Sequence, residues 1–368
     1  MTGPRYSRLI QTLPASVPFV GPEEHERTRG APFAARLGAN ENIFGPSPDA
    51  IRAMRDGSAD IWMYGDPTSH DLRTALAVHL DVGYDNILVG EGIDGLMGYL
   101  VRLLIDAGDT VVTSDGAYPT FSYHVTGFGG ALHKVPYKAD HEDPRALIAR
   151  AHEVEAKLVY LANPDNPMGT WHRGADISAM LDDLPEGCLL LLDEAYVEFA
   201  PEGTPPEIDP EDPRVIRMRT FSKAYGMAGA RVGYAIGAAA LIRSFDKIRN
   251  HFGMNRTAQA GALAALADQD WLAQTNARVV AARTEIARIA GESGLTALPS
   301  ATNFVAVDCG ANGDFARAVL EGLVARGVFV RMPFIAPQDR CIRISCGRPQ
   351  DLALLAAALP RALADARG

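Results

Sequence analysis

TFSKAYGMAGARVGYAIG, residues 220–237, is the stretch on which the reading of this chain turns. Lys223 follows an apolar strand pattern and Ser222. A Gly-rich turn comes next, and Arg231 stands eight residues beyond the lysine. Lysine is normally a solvated surface residue. Here it lies among apolar strands and glycines, where a surface lysine gains nothing. A desolvated lysine beside other cations has a lowered pKa and can act as a nucleophilic amine. Such an amine forms a Schiff base with an aldehyde cofactor.

Working outward, LLLLDEAYVEF (189–199) puts Asp193 at the C-terminal end of an apolar strand. Open α/β sheets bind ligands in the crevice outside those ends. Asp193 suits a metal, a ribose or a protonated ring nitrogen. Only Glu194 accompanies it, so metal is the weaker reading. LANPDNPMGT (161–170) is a turn stiffened by its prolines, and it can hold the Asn166 amide against a ligand. GEGIDG (90–95) lies between a strand and a helix, where free N–H groups can bind an anion. It matches neither a Walker lysine motif nor a full GxGxxG, which disfavours a Rossmann oxidoreductase.

The remaining pattern sets the fold. Apolar runs at NILVG (86–90), TVVTSD (110–115), KLVYLAN (157–163), CLLLLDEAY (188–196), VIRMRTFS (215–222) and ARVGYAIG (230–237) read as strands. Helical patterns cover 71–80, 92–105 and 146–156. Strands alternating with helices predict an α/β chain with a mainly parallel, doubly covered sheet. One long helix is expected from about Ala258 to Ala290. The tail carries strands at 303–308, 328–332 and 341–347, with helices near 314–326 and at the C-terminus. It reads as a smaller α+β unit. Residues 1–45 lack a steady period and read as an arm. The expected units are therefore 1–45, 46–274 and 275–368.

The chain has 368 residues, room for two domains and a sizeable core. Its 47% hydrophobic and 22% charged content excludes a mostly disordered chain. Acidic residues exceed basic ones by ten, which argues against a chain-wide nucleic-acid footprint. Cys188, Cys309, Cys341 and Cys346 form no CxxC pair and read as buried thiols; no zinc-ligand spacing is present, so no metal is expected. The start MTGPRYSRLIQTLPASVPFV lacks a signal-peptide core, and no apolar run is long enough for a bilayer. A soluble cytoplasmic protein with no membrane partner is expected.

Asn166 in NPDNPMG, Asp193 in DEAY and Lys223 in SKAYG together resemble the fold type I pyridoxal-phosphate aminotransferases. The chain is most similar to their histidinol-phosphate branch. GANENIFGPSP (38–48), YGDPTSHDLRTALA (64–77) and AYPTFSYH (117–124) match that branch's segments in order and spacing. The resemblance runs from about residue 38 to 350. It implies a large domain with a seven-stranded, mainly parallel sheet, a small C-terminal domain and an arm packing with it.

It also implies roles. Lys223 would bind pyridoxal 5'-phosphate and move the proton. Asp193 would pair with the pyridine nitrogen, and Asn166 and Tyr196 would donate to the phenolate oxygen. Phe121 would stack on the ring, with Tyr118 and Tyr123 left as core or rim residues. Gly92, Ile93, Asp94, Ser222 and Arg231 would cup the phosphate, and Tyr64 would reach it from the other subunit of a homodimer. Arg343, Arg331 and Asn42 would hold the substrate. Met168 and Phe44 replace the branch's usual Thr and Tyr, and the arm 18–30 lacks a tyrosine expected near a substrate phosphate. The implied reaction moves the amino group of histidinol phosphate to 2-oxoglutarate. An aminotransferase for aromatic or other amino acids, and a decarboxylase resembling threonine-phosphate decarboxylase, are the alternatives.

Overall fold

The computed structural model describes residues 3–15 and 20–368. Residues 1–2 and 16–19 of the expected arm, part of the segment read for a leader, lie outside the described residues. Eight strands precede residue 240: β1 (Ala35–Arg36), β2 (Ile87–Gly90), β3 (Thr110–Ser114), β4 (Ala131–Val135), β5 (Leu158–Ala162), β6 (Leu189–Asp193), β7 (Val215–Thr220) and β8 (Gly233–Gly237). The large sheet runs β2-β8-β7-β6-β5-β3-β4. Every neighbouring pair is parallel except the two made by β8. Every residue of β5 and β6 is buried, which is why both are continuous apolar runs rather than alternating ones. Helices Gly92–Leu104 and Pro119–Gly127 seal one face with Leu96, Leu100 and Val125. Helices Pro144–Glu153 and Gly174–Asp182 seal the other with Leu147, Ile148 and Ile177. Parallel strands joined by such crossovers all deliver their C-terminal ends to one edge of the sheet.

The second unit holds β9 (Thr296–Ala297), β10 (Phe304–Asp308), β11 (Val328–Phe329) and β12 (Cys341–Ser345). Strands β12, β10 and β9 form an antiparallel sheet in that order. Helices Gly313–Ala325 and Pro349–Arg367 cover it through Val319, Leu323, Leu355 and Leu359. The segment before residue 45 joins this unit by β1, whose Ala35 and Arg36 pair in parallel with Val328 and Phe329.

Three of the differences from the sequence reading have a plain physical reason. Strand β4 has no counterpart in it. It is an edge strand with only Val135 fully buried, and Lys134 is exposed, so ALHKV carries neither an apolar run nor alternation. The stretch 258–290 is two helices, Arg256–Ala267 and Gln269–Glu292. Asp268 separates them, and its side chain caps the second by accepting from Trp271 N at 3.1 Å. The expected strand 328–332 pairs only at Val328–Phe329, followed by an isolated bridge between Arg331 and Arg343. Position 274 falls inside helix Gln269–Glu292, which therefore links the two units. Among the described residues no helix is long and apolar enough to cross a membrane.

Candidate active site

The C-terminal ends of β2, β3, β5, β6 and β7 converge on a cleft of about 520 Å³ that the arm and the small unit close from above. Asp193, the last residue of β6, is buried there. Its Oδ2 accepts from Tyr160 Oη at 2.8 Å and its Oδ1 from Ala195 N at 3.0 Å. Burial still pushes its carboxyl up, to about 6. Glu194 is no partner for it. Its carboxylate is buried in ion pairs with Arg217 at 2.9 Å and Arg219 at 2.8 Å.

Lys223 follows β7. Its Nζ lies 5.5 Å from the centroid of the Tyr196 ring and donates to the Asn40 carbonyl at 3.2 Å. The turn beyond it is tight. Gly226 has φ +70°, and an added Cβ would sit 2.4 Å from the Gly45 backbone. Asn42 fastens the same turn, donating to the carbonyls of Lys223 at 3.1 Å and Ala224 at 3.0 Å.

At one end of the cleft, helix Gly92–Leu104 begins directly after β2 with no side chain capping its first turn. Its free N–H groups and dipole favour an anion. Gly92, at φ +78°, leaves room for Arg231; a Cβ would stand 2.5 Å from Nη2. Arg231 Nη1 donates to Ser222 Oγ at 3.2 Å, and Nη2 lies 3.7 Å from Asp94 Oδ2. Tyr118 Oη donates to Asp94 Oδ1 at 3.1 Å, and burial pushes its phenol up.

Two arginines mark the other end. Arg331 and Arg343 exchange backbone hydrogen bonds of 3.2 and 2.6 Å. Arg343 Nη1 donates to Asn166 Oδ1, and Nη2 donates to the Gly38 carbonyl at 3.4 Å. Burial lowers the guanidinium's pKa to about 10, and Arg331 adds to the effect. Arg331 reaches the arm by donating to the Val20 carbonyl.

Asp193, Lys223, Asn166, Tyr196, Ser222, Arg231, Ile93, Asp94, Arg331 and Arg343 thus share the cleft, and Gly92 lies beneath Arg231. Two expectations need correction. Phe121 does not face the cleft. It is fully buried and stacked on Tyr160, centroids 4.6 Å apart at 19°. Tyr118, three residues earlier and just before Pro119, lines the cleft instead. Asn42 does not line the cleft either, and its amide is spent on the Lys223 turn. Tyr64 lies outside its own chain's cleft, 77% exposed, with its ring 4.7 Å from that of Phe252.

Sequence reasoning missed Asn40. It sits at φ +55°, donates to Tyr196 Oη at 3.3 Å and offers its carbonyl to Lys223. An Asn in a Gly-Ala-Asn-Glu-Asn turn was the available signal, since Asn tolerates the left-handed region.

Residues 35–359 match the family model for class I and II aminotransferases, and the chain belongs to that family. Its fold is fold type I: a Thermus thermophilus aspartate aminotransferase structure superposes with a TM-score of 0.83 at 22% identity, covering 99% of this chain and all of that one. Within the family the chain belongs with the histidinol-phosphate aminotransferases. The enzyme of that name from an Anaeromyxobacter species is 35% identical over 96% of this chain and 98% of its own length. The Sinorhizobium meliloti histidinol-phosphate aminotransferase, solved in complex with pyridoxal-5'-phosphate, is 52% identical, with a TM-score of 0.95 over 99% of this chain and 98% of that one.

Proposed function

We propose that this chain transfers the amino group of histidinol phosphate to 2-oxoglutarate, giving imidazole acetol phosphate and glutamate. The observation that carries the proposal is the polarity of one cleft. An uncapped helix with Ser222 and Arg231 lies at one end, the pair Arg331–Arg343 at the other, and Lys223 and Asp193 between them.

These residues fit pyridoxal 5'-phosphate. The first turn of helix Gly92–Leu104, with Ile93, Asp94, Ser222 and Arg231, would hold its phosphate, and the missing Cβ of Gly92 is what lets Arg231 lie there. Lys223 would take its aldehyde, Asp193 its ring nitrogen, and Asn166 and Tyr196 its phenolate oxygen. Tyr118 would flank the ring. The group supplies a carbonyl for the amino nitrogen and a ring that draws electrons. The chain does the rest. Lys223 Nζ carries a proton away from the amino-bearing carbon of the donor. Asp193, as a carboxylate, would keep a proton on the ring nitrogen of the bound group. Arg343, helped by Arg331, orients the anionic group of donor and acceptor in turn through a fork that a lysine lacks.

The assembly belongs to the same proposal. Tyr64, with Trp62 80% exposed nearby, would complete the phosphate site of a second copy in a homodimer. An arm (1–45), a cofactor-binding unit (46–274) and a small unit (275–368) would make each subunit, and the enzyme would work in the cytoplasm.

Holoenzyme given histidinol phosphate and 2-oxoglutarate should form glutamate and imidazole acetol phosphate without releasing CO₂. Transfer from aromatic amino acids alone, or CO₂ release without an oxo acid, would replace this reading with one of its two alternatives.

A further inference from the structure

Behind the substrate end of the cleft lies a buried carboxyl that the chemistry above does not use. Asp165 is 2% exposed, in the turn after β5. Its Oδ1 accepts from Tyr137 Oη at 2.8 Å and its Oδ2 from Met168 N at 2.9 Å. Its own N–H donates to the Thr170 carbonyl at 2.8 Å, and its carbonyl accepts from Gly169 N at 3.1 Å. Asp165 therefore pins both sides of the turn that carries Asn166. Asn166 in turn accepts from Arg343.

Arg343 has an electrostatic peculiarity. Among the described residues it has no carboxylate within ion-pair distance, and its buried Nε has no hydrogen-bond partner. A guanidinium withdrawn from water without a counter-charge is costly. Asp165 and Arg343 feel one another's charge across the Asn166 turn.

We propose that Asp165 is a positioning residue of the substrate clamp, holding Asn166 against Arg343 and serving as the guanidinium's internal counter-charge until the substrate's anion takes that role. This rests on the reading that Arg343 receives that anion. When a carboxylate or phosphate docks on Arg343, the part of the attraction favouring ionised Asp165 that comes from Arg343 is neutralised. Asp165 then takes up a proton from solvent.

The surroundings favour such a response. Burial raises the Asp165 carboxyl, and the hydrogen bonds from Met168 N and Tyr137 Oη, together with the charge of Arg343, pull it back down. Tyr137 faces it from the segment after β4, and Glu142 from the same segment. Glu142 is itself buried and raised, accepting from Ser114 Oγ at 2.5 Å and Ala162 N at 2.9 Å, with Asp193 beyond it and His172 on its backbone carbonyl at 2.8 Å. Asp115 bears on Tyr137 from the end of β3. Arg331 pairs with Arg343 through the backbone, and its charge repels the Arg343 guanidinium.

The test uses holoenzyme and its Asp165→Asn variant. For wild type, KM for the anionic substrate rises with pH as Asp165 ionises and competes for Arg343. Asp165→Asn loses that rise and holds anions more tightly than wild type at alkaline pH, by roughly tenfold for one buried charge removed. The change falls on KM more than on kcat. A purely structural role predicts the opposite, weaker binding at every pH. Asp165→Ala, which also frees the turn, should weaken binding at every pH. Calorimetry on wild type in two buffers of different ionisation heat supplies the second measurement. Succinate binding near pH 7 should draw in part of a proton, and in Asp165→Asn it should not. Equal KM–pH profiles, or no proton uptake by wild type, would overturn the proposal while leaving the aminotransferase reading intact. Arg343→Ala with unchanged anion affinity would remove the clamp itself, and this proposal with it.

Discussion

Asp193 shows how one residue couples folding to chemistry. In the fold its carboxyl is raised from 3.8 to about 6 because burial disfavours the charged form. A raised acid stabilises the fold below its unfolded pKa, and that contribution is lost as pH climbs through the folded value. The cofactor-free protein should therefore lose up to about 3 kcal/mol from this group between about pH 4 and 6. Asp193→Asn abolishes that loss, so the cofactor-free variant should outlast wild type above pH 6 in a melting series. The loaded variant should behave oppositely. An amide cannot hold a proton on the ring nitrogen, and kcat should fall roughly 100- to 1000-fold, the scale of removing one preorganised electrostatic group. Cofactor affinity should change far less. Near-normal turnover would mean that Asp193 faces something else. That Asp193, Lys223 and Asn166 come together was legible in the sequence because Asp193 ends an apolar strand, the other two follow one within four residues, and each sits in a distinctive local motif. Asn40 and Tyr118 were not. Asn40 acts on residues 156 and 183 positions away, and such contacts leave no local pattern.

At the scale of elements, short buried strands were readable and the sheet's edge was not. Strands such as β6 announce themselves by apolar continuity, whereas β4 is half solvated. Helix ends were blurred for a related reason. Asp268 reads as one polar residue on a helical face until its capping bond to Trp271 is seen. The start of helix Gly92–Leu104 is where an element most directly makes the site. Gly92→Ala would place a Cβ 2.5 Å from Arg231 Nη2 and force a side chain into the left-handed region. That conformation costs about 1–2 kcal/mol. The larger effect is functional: the Arg231 guanidinium must shift from its place over Gly92, and if it holds the cofactor phosphate there, cofactor affinity should fall by about tenfold or more. Titrating the cofactor-free variant with pyridoxal phosphate by absorbance reads this directly, and unchanged affinity would remove Arg231 from the phosphate site.

On the scale of the whole molecule, Tyr64 lies outside its own chain's cleft, packed on the exposed ring of Phe252, with Ile61 and Trp62 of the same segment also exposed. Exposed aromatics grouped in this way are what the proposed homodimer would cover. If the second chain is a copy of this one, Tyr64→Ala and Lys223→Ala subunits should complement each other. Each is inactive alone, and a hybrid dimer regains one intact site, so mixing should restore up to about a quarter of wild-type activity when exchange is statistical and subunits pair symmetrically. A fully active monomer by sedimentation would contradict the shared site. The whole fold, from the crossover order to the arm strand β1 on β11, also serves to bring Lys223 to Asp193 within one cleft. That juxtaposition is the central claim, and one measurement tests it most directly. The holoenzyme is reduced with borohydride, digested, and its pyridoxyl-bearing peptide sequenced. The label should fall on Lys223, in the peptide containing Ser222 and Tyr225; a label on any other lysine would contradict the account.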